Sequence, residues 1–432
     1  MVALLFSFLF ILFIIGFPVA FSMGFSSMIA MSSADIEIQV AVQRIVASLN
    51  SFSLMAIPFF ILAGNLMEYS GISQRLINFA NALVGNRTGG LAIVSVLTAM
   101  FFASISGSSA ATVAAVGGIL IPAMVRRGFP LGFSTSVQSV SGELGVIIPP
   151  SIPMIIFALS AGVSISIGDL FMAGVIPGIL IAGSLMALIY YLSKKNGYGK
   201  NIQAEVEDDF SKKVSVVSAF KSAFLPLLMP VLILGGIYGG VFTPTEAAAV
   251  AVAYAFILGA VVYRTLNLSK ILHVLKNSVI STSIIMIIIG NAGLFGWVLT
   301  AEKVPDKVAE FFLGISESPI VFLLLINLLL LLVGMFLETG AAIVILAPIL
   351  TPVAVSLGID PVHFGIIMIC NLAIGMLTPP VGVNLFVASS IAGIRIEQMI
   401  KPLIPFYLVL LVDIILISYL PQISLWLPTI LK

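Results

Sequence analysis

Nine runs of this chain are apolar for long enough to cross a lipid bilayer, near 3–30, 53–69, 131–161, 169–192, 222–240, 245–263, 278–299, 361–392 and 402–426. A hydrocarbon core about 30 Å thick needs roughly 20 such residues per helix. In that solvent each backbone amide and carbonyl must be satisfied within its own segment, so the runs are constrained to be helices. Composition agrees, with 60% of 432 residues apolar and 9% charged, where a soluble domain carries roughly 25% charged residues. The first run is too long for a signal peptide and has no basic leader or cleavage site, so it reads as a helix. A formal net charge of +1 gives no electrostatic footprint for nucleic acid. The single cysteine, Cys370, excludes an internal disulfide and a multi-cysteine metal centre. The expected class is an all-α polytopic membrane protein.

Two further apolar stretches, 89–125 and 319–355, break in the middle. The breaks read Ser104-Ile105-Ser106-Gly107-Ser108-Ser109 and Gly334-Met335-Phe336-Leu337-Glu338-Thr339-Gly340. Such residues are costly against lipid and well suited to a polar cavity, so each stretch is expected to be a re-entrant helical hairpin. With both hairpins returning to their own side, the nine spans alternate and 15 of the 19 basic residues share one face. Arg44, Lys303, Lys307 and Lys432 fall opposite. The positive-inside rule makes the basic-rich face cytoplasmic, with the N-terminus inside and the C-terminus outside.

The halves repeat. Pro149-Pro150 recurs as Pro379-Pro380, Pro122 as Pro352, Gly145 as Gly375 and Ser104 as Gly334, each 230 residues on. Each half reads span, span, hairpin, broken span, span, and the two hairpins open to opposite faces. Inverted halves with interrupted helices point to a secondary transporter whose site lies near the bilayer midplane.

Neither proline pair can sit in continuous helix, because proline lacks the N–H and forces its predecessor out of the α region. The freed carbonyls and nearby hydroxyls are oxygen ligands suited to Na⁺. One expected cage uses Ser104, Ser106 and Gly107 with Gly145 and Ile148. The other uses Gly334 and Thr339 with Gly375 and Thr378. Substrate belongs between them. No Lys or Arg occurs over 128–193 or 319–394, so an anion there would rely on half-helix N-termini, bound cations and Ser106, Ser108, Ser151, Thr339 and Asn384. Glu143 and Glu338 could coordinate a cation, carry a proton or cap local amides. Asp413 reads as a helix–helix hydrogen-bonding group, and Asp360-Pro361 before His363 as a helix start. Trp297 and Trp426 read as interfacial belt residues. Thr243-Pro244-Thr245-Glu246 is a capping box opening a span. The stretch 193–221 reads as a solvated cytoplasmic loop, and 38–51, 72–84 and 304–314 as interfacial amphipathic helices, the last two as arms beside the hairpins.

Four segments, Gly240-Val-Phe-Thr-Pro-Thr-Glu-Ala-Ala-Ala, Ser106-Gly-Ser-Ser-Ala-Ala-Thr-Val-Ala, Gly142-Glu-Leu-Gly-Val-Ile-Ile-Pro-Pro-Ser and Thr378-Pro-Pro-Val-Gly-Val-Asn, resemble the large (M) subunit of tripartite ATP-independent periplasmic (TRAP) transporters. The likeness extends over essentially the whole chain. It implies Na⁺-driven import of a carboxylate across the bacterial inner membrane, by elevator motion of a transport domain against a scaffold. It also implies two partners, a small Q-type membrane subunit and a P-type periplasmic substrate-binding protein, with the small subunit expected as a separate chain and not fused before Met1. Overall likeness leans to the sialic acid branch over C4-dicarboxylates. The matching division is scaffold 1–87, transport 88–168, scaffold 169–318, transport 319–394 and scaffold 395–432. A stand-alone divalent-anion or citrate/sodium symporter of similar architecture is the alternative. An intramembrane hydrolase using Ser106 or Ser108 would need a base within hydrogen-bond reach, and His273 and His363, the two histidines, fall in a cytoplasmic loop and at the opposite surface. An enzyme is not expected.

Overall fold

Apolar runs with few charges fold here into helices, and the breaks between them fall at glycine, proline and small polar residues. The computed structural model describes residues 1–85, 87–199, 215–316, 318–379 and 381–431, apart from the side chains of Leu313 and Ile315. Lys200, Lys212 and Lys213 of the expected loop, Pro380 of the second proline pair, and Lys432 lie outside the described residues.

The chain opens with α1 (Val2–Ile14), α2 (Val19–Ser32) and α3 (Ile38–Leu49), then a 3₁₀ turn (Phe52–Met55) running into α4 (Ala56–Tyr69), and α5 (Ile72–Val84). The first hairpin is α6 (Gly90–Ser106) and α7 (Ser109–Arg126). A broken helix follows as α8 (Leu131–Gly142), α9 (Leu144–Ile147) and α10 (Ile152–Ser160), bent by 46° across the proline pair. Next come α11 (Ile167–Asn196), α12 (Val216–Tyr238), α13 (Pro244–Ile257) with a π turn (Leu258–Val262), α14 (Leu268–Ala301) and α15 (Val304–Ile315). The second hairpin is α16 (Pro319–Gly334) and α17 (Thr339–Ser356), and the second broken helix is α18 (Pro361–Gly375) and α19 (Val383–Ala392). The chain closes with α20 (Glu397–Tyr419) and α21 (Gln422–Ile430). Among the described residues, eight helices are long and apolar enough to cross a membrane, and the bent pair makes a ninth.

Two expectations need correction. The run 3–30 is not one span: it divides at Ile15-Gly16-Phe17-Pro18, where Gly16 has φ +83°, and α1 and α2 pack against each other. At 13 and 14 residues these pieces rise only about 20 Å each, which removes the single crossing from which a cytoplasmic Met1 follows. The last span ends at Tyr419, because Leu420-Pro421 interrupts it, and α21 packs instead against α11. Run length registers apolar character but is blind to a backbone that turns.

Local signals perform as expected elsewhere. Thr243 Oγ1 accepts from Glu246 N at 3.3 Å while Glu246 accepts from Thr243 N at 2.8 Å, closing the capping box of α13. The Asp360 carboxylate caps α18 through the amides of Val362 and His363. Asp413 accepts from Ser184 Oγ at 2.5 Å, tying α20 to α11.

The packing crosses the halves. The outgoing arm of each broken helix lies against the other half's hairpin, α10 on α17 and α19 on α7, with α19 also touching α8 of the first broken helix. The long helix α11 touches α6, α9, α18 and α20, while α2, α3 and α4 pack on α14.

Candidate functional site

The first hairpin turns at Gly107, whose φ of +62° is a left-handed conformation that side chains resist. Its carbonyl accepts from Ile152 N at 3.4 Å, and a Cβ on Gly107 would stand 2.9 Å from the Pro150 oxygen. A Cβ on Gly145 would fall on the Ser108 carbonyl. The tip and the helix break therefore meet backbone to backbone, and both glycines are there because nothing larger fits. Ser106 Oγ lies 3.1 Å from Thr112 Oγ1, which donates to the Ser108 carbonyl at 2.7 Å. Ser108 caps α7, and Ser151 Oγ donates to the Val146 carbonyl at 2.6 Å. Ser104 Oγ turns onto its own helix, donating to Phe101 O. Ile148 is extended, with φ −82° and ψ 130°, and its side chain covers Gly178 of α11.

The second tip repeats this contact. A Cβ on Gly375 would lie 2.6 Å from Gly334 Cα, and one on Gly334 would lie 2.8 Å from the Leu372 oxygen. Thr339 is fully buried and donates to Met376 Sδ at 3.6 Å. Thr378 Oγ1 is buried without a hydrogen-bond partner among the described residues. Glu338 caps α17, its Oε2 accepting from Gly340 N at 2.9 Å and Ala341 N at 3.2 Å. Of the roles open to it in the sequence, capping is the one the geometry displays.

Glu143 and Asn384, both fully buried, meet across the halves. Asn384 Nδ2 donates to Glu143 Oε1 at 2.6 Å, while Glu143 Oε2 and Asn384 Oδ1 have no hydrogen-bond partner among the described residues. The sequence marks each residue but not their pairing, which joins positions 241 apart. Thr112 went unmarked too, although it stands four residues after Ser108, on the same helical face.

Between the tips lies a cavity of about 190 Å³. Gly107, Ser108 and Val146 of the first half and Glu338, Gly340 and Met376 of the second border it, with Ile285 and Ile288 of α14 across from them. Ser106 borders a neighbouring cavity. Ser151, Thr339 and Asn384 are buried and do not line the central one.

A many-spanning helical protein with two hairpin tips closing on two helix breaks around a shared cavity has the build of a membrane transporter. Residues 6–423 match the family described as "Tripartite ATP-independent periplasmic transporter, DctM component". The chain belongs to this family, which is one of transporters and not of enzymes. It is 43% identical over 98% of its length to the isethionate TRAP transporter permease of Oleidesulfovibrio alaskensis, and spans 65% of that longer relative. It is 45% identical to the C4-dicarboxylate TRAP large permease of Pseudomonas aeruginosa, over 87% of this chain and 86% of the relative. It is 40% identical to the sialic acid TRAP large permease of Vibrio cholerae, over 96% and 95%. Among solved structures the fold resembles the YdaH transporter of Alcanivorax borkumensis, with TM-score 0.67, 17% identity and 90% of each chain covered. It also resembles MtrF of Neisseria gonorrhoeae, with TM-score 0.63, 14% identity, 92% of this chain and 85% of that one.

Proposed function

We propose that this chain is the Na⁺-coupled membrane subunit of an importer of small organic acids, working by an elevator motion of one part of the fold against the other. The observation that carries the reading is the doubled contact of hairpin tip with helix break around one cavity, which supports a pair of oxygen-lined cation sites flanking an anion site. At the first, Ser106, Gly107 and Gly145 stand together, with Ser104 and Ile148 on its flanks; at the second, Gly334, Gly375, Thr339 and the unpartnered Thr378 hydroxyl do. Crossed packing of two like halves supports the inverted repeat.

The moving part is drawn with one change from the sequence expectation: α11 and α20 join the hairpins and broken helices. Side-chain hydrogen bonds link these elements to one another, in Ser95–Gln138, Ser184–Asp413, Asn327–Ser418, Asn371–Asn327 and Glu143–Asn384. The other set, α1–α5 and α12–α15, has its own, Asn65–Ser278 and Arg75–Ser222. Across the boundary stand the aromatic pairs Phe60–Phe171, Phe79–Phe101 and Phe312–Phe322, and Tyr238 donates to the Gly168 carbonyl. Apolar contact is non-directional and tolerates sliding better than a hydrogen-bonded seam.

The basic-rich face is placed in the cytoplasm and the C-terminus on the periplasmic side of the inner membrane. The relatives carry names for isethionate, C4-dicarboxylates and sialic acid at comparable identity, so the substrate is put at the class they share, an acid anion, with sialic acid first in a panel. A small membrane subunit and a periplasmic binding protein complete the system. The test is uptake of labelled sialic acid, succinate and isethionate into proteoliposomes holding this chain and its cognate small subunit. Import that requires both an inward Na⁺ gradient and the binding protein supports the proposal. Import by this chain alone points instead to a stand-alone symporter, and import indifferent to Na⁺ rejects the coupling.

A further inference from the structure

The helix α14 borders three cavities in succession. Ser281 and Ile285 line the one beside Glu68, Ile285 and Ile288 line the one between the tips, and Ile289 through Thr300 line the largest, about 520 Å³. These residues recur at three- and four-residue intervals, so a single face of α14 walls all three. The largest cavity separates α3 and α14 from the C-terminal end of α10 and from α17, so it lies between the two parts assigned above, on the side away from the basic-rich face.

One charged side chain, Arg44, lines this cavity among the described residues, and none of its lining residues is acidic. Its guanidinium stands over the Trp297 ring, 5.1 Å from the centroid, and Arg44 is exposed. Trp297 is half-buried beneath this cation. Around them are the hydroxyls of Ser48, Ser51, Ser160 and Thr300. Glycines shape the space in two ways. At Gly293 a Cβ would strike Ser48, so its absence lets α3 approach α14, whereas Gly296 has nothing within 4 Å and leaves the chamber open.

We propose that Arg44, stacked on Trp297, is an outer docking station for the carboxylate or sulfonate of the substrate, held before the anion passes to the cavity between the tips. This rests on the reading of the chain as an organic-acid importer. The chemistry follows from what the inner segments lack: they contain no Lys or Arg over 128–193 or 319–394, so the permanent cation an acid anion meets is on the wall outside. A planar guanidinium offers paired N–H donors to an oxyanion, and stacking on an indole holds that plane in place. The station must also release its guest, and a single exposed cation in an open chamber binds weakly enough to do so.

Trp297 and Trp426 are the only tryptophans, so a Trp426→Phe chain carries its reporter inside the proposed station. In lipid nanodiscs, succinate and sialic acid should quench Trp297 fluorescence saturably and succinamide should not. Arg44→Gln should abolish the response, and Arg44→Lys should retain part of it, having charge without the fork. In reconstituted uptake, Arg44→Gln should raise KM about tenfold and leave the maximal rate within about twofold. Gly296→Leu, whose Cβ meets open space and whose side chain occupies the chamber, should raise KM in the same way. Quenching that survives Arg44→Gln, or that succinamide matches, overturns the proposal, as does an unchanged KM. The fluorescence needs no Na⁺ gradient and no transport, so a failure of the station and a failure of Na⁺-driven import are seen separately.

Discussion

Exchange of Asn384 for leucine tests whether the two halves are held by a buried polar clasp. Asn384 Nδ2 stands 2.6 Å from Glu143 Oε1, and both residues are fully buried. Leucine keeps the volume but strands the acceptor where water does not reach it. A lost hydrogen bond to a buried carboxyl costs about 2.5 kcal/mol, and Glu143→Leu, which strands the amide instead, about 1.5 kcal/mol. Replacing both by leucine removes two polar groups together and should cost only about 1 kcal/mol, so the cycle closes with a coupling of about 3 kcal/mol. The assay is reversible unfolding in mixed micelles, titrating SDS and reading helicity by circular dichroism for the four chains. Single variants whose costs simply add in the double would refute the clasp. So would a double variant less stable than either single one.

Three further outcomes are expected. Ser106→Ala and Thr378→Ala should each raise the Na⁺ concentration needed for half-maximal uptake several-fold while leaving the amount of protein in the membrane unchanged; identical Na⁺ curves for both would remove the cages. Gly145→Ala and Gly375→Ala place a methyl group against the backbone of the facing tip, and should lower uptake at least tenfold in reconstituted vesicles, whereas Gly118→Ala, with open space around it, should not; equal activity in all three would deny the close approach. Thr243→Ala opens the capping box of α13 and should cost about 1 kcal/mol in the same SDS titration, and a loss below the resolution of that titration would mean the box adds nothing to the span it starts.

Much of the fold is legible in the sequence. Gly107 and Ser108, between two apolar stretches, announce a reversal because glycine adopts a left-handed turn and serine caps the next helix. The proline pair at 149–150 announces a break because proline cannot donate to the turn before it. The 230-residue spacing carries the proline signal into the second half, where Glu338 stands in the capping place of Ser108. The split between α1 and α2 is not legible, because hydrophobicity continues through Ile15 and Phe17 and masks the turn at Gly16. The contact of Trp297 is hidden for a related reason: nothing local discloses that Arg44, 253 positions earlier, lies above its ring.

The chain by itself determined where helices start, stop and break, and that its interior has no permanent cation over the two long segments. Those properties follow from backbone stereochemistry and the cost of charge in lipid, which act over a few residues at a time. Tertiary structure alone decided that Glu143 clasps Asn384, that α19 lies on α7 and α10 on α17, that side-chain hydrogen bonds tie α11 to α20 and α20 to α16, and that Arg44 faces an open chamber. Contacts of that kind depend on how rigid helices stack, and stacking is settled by the shapes of faces brought together from distant positions.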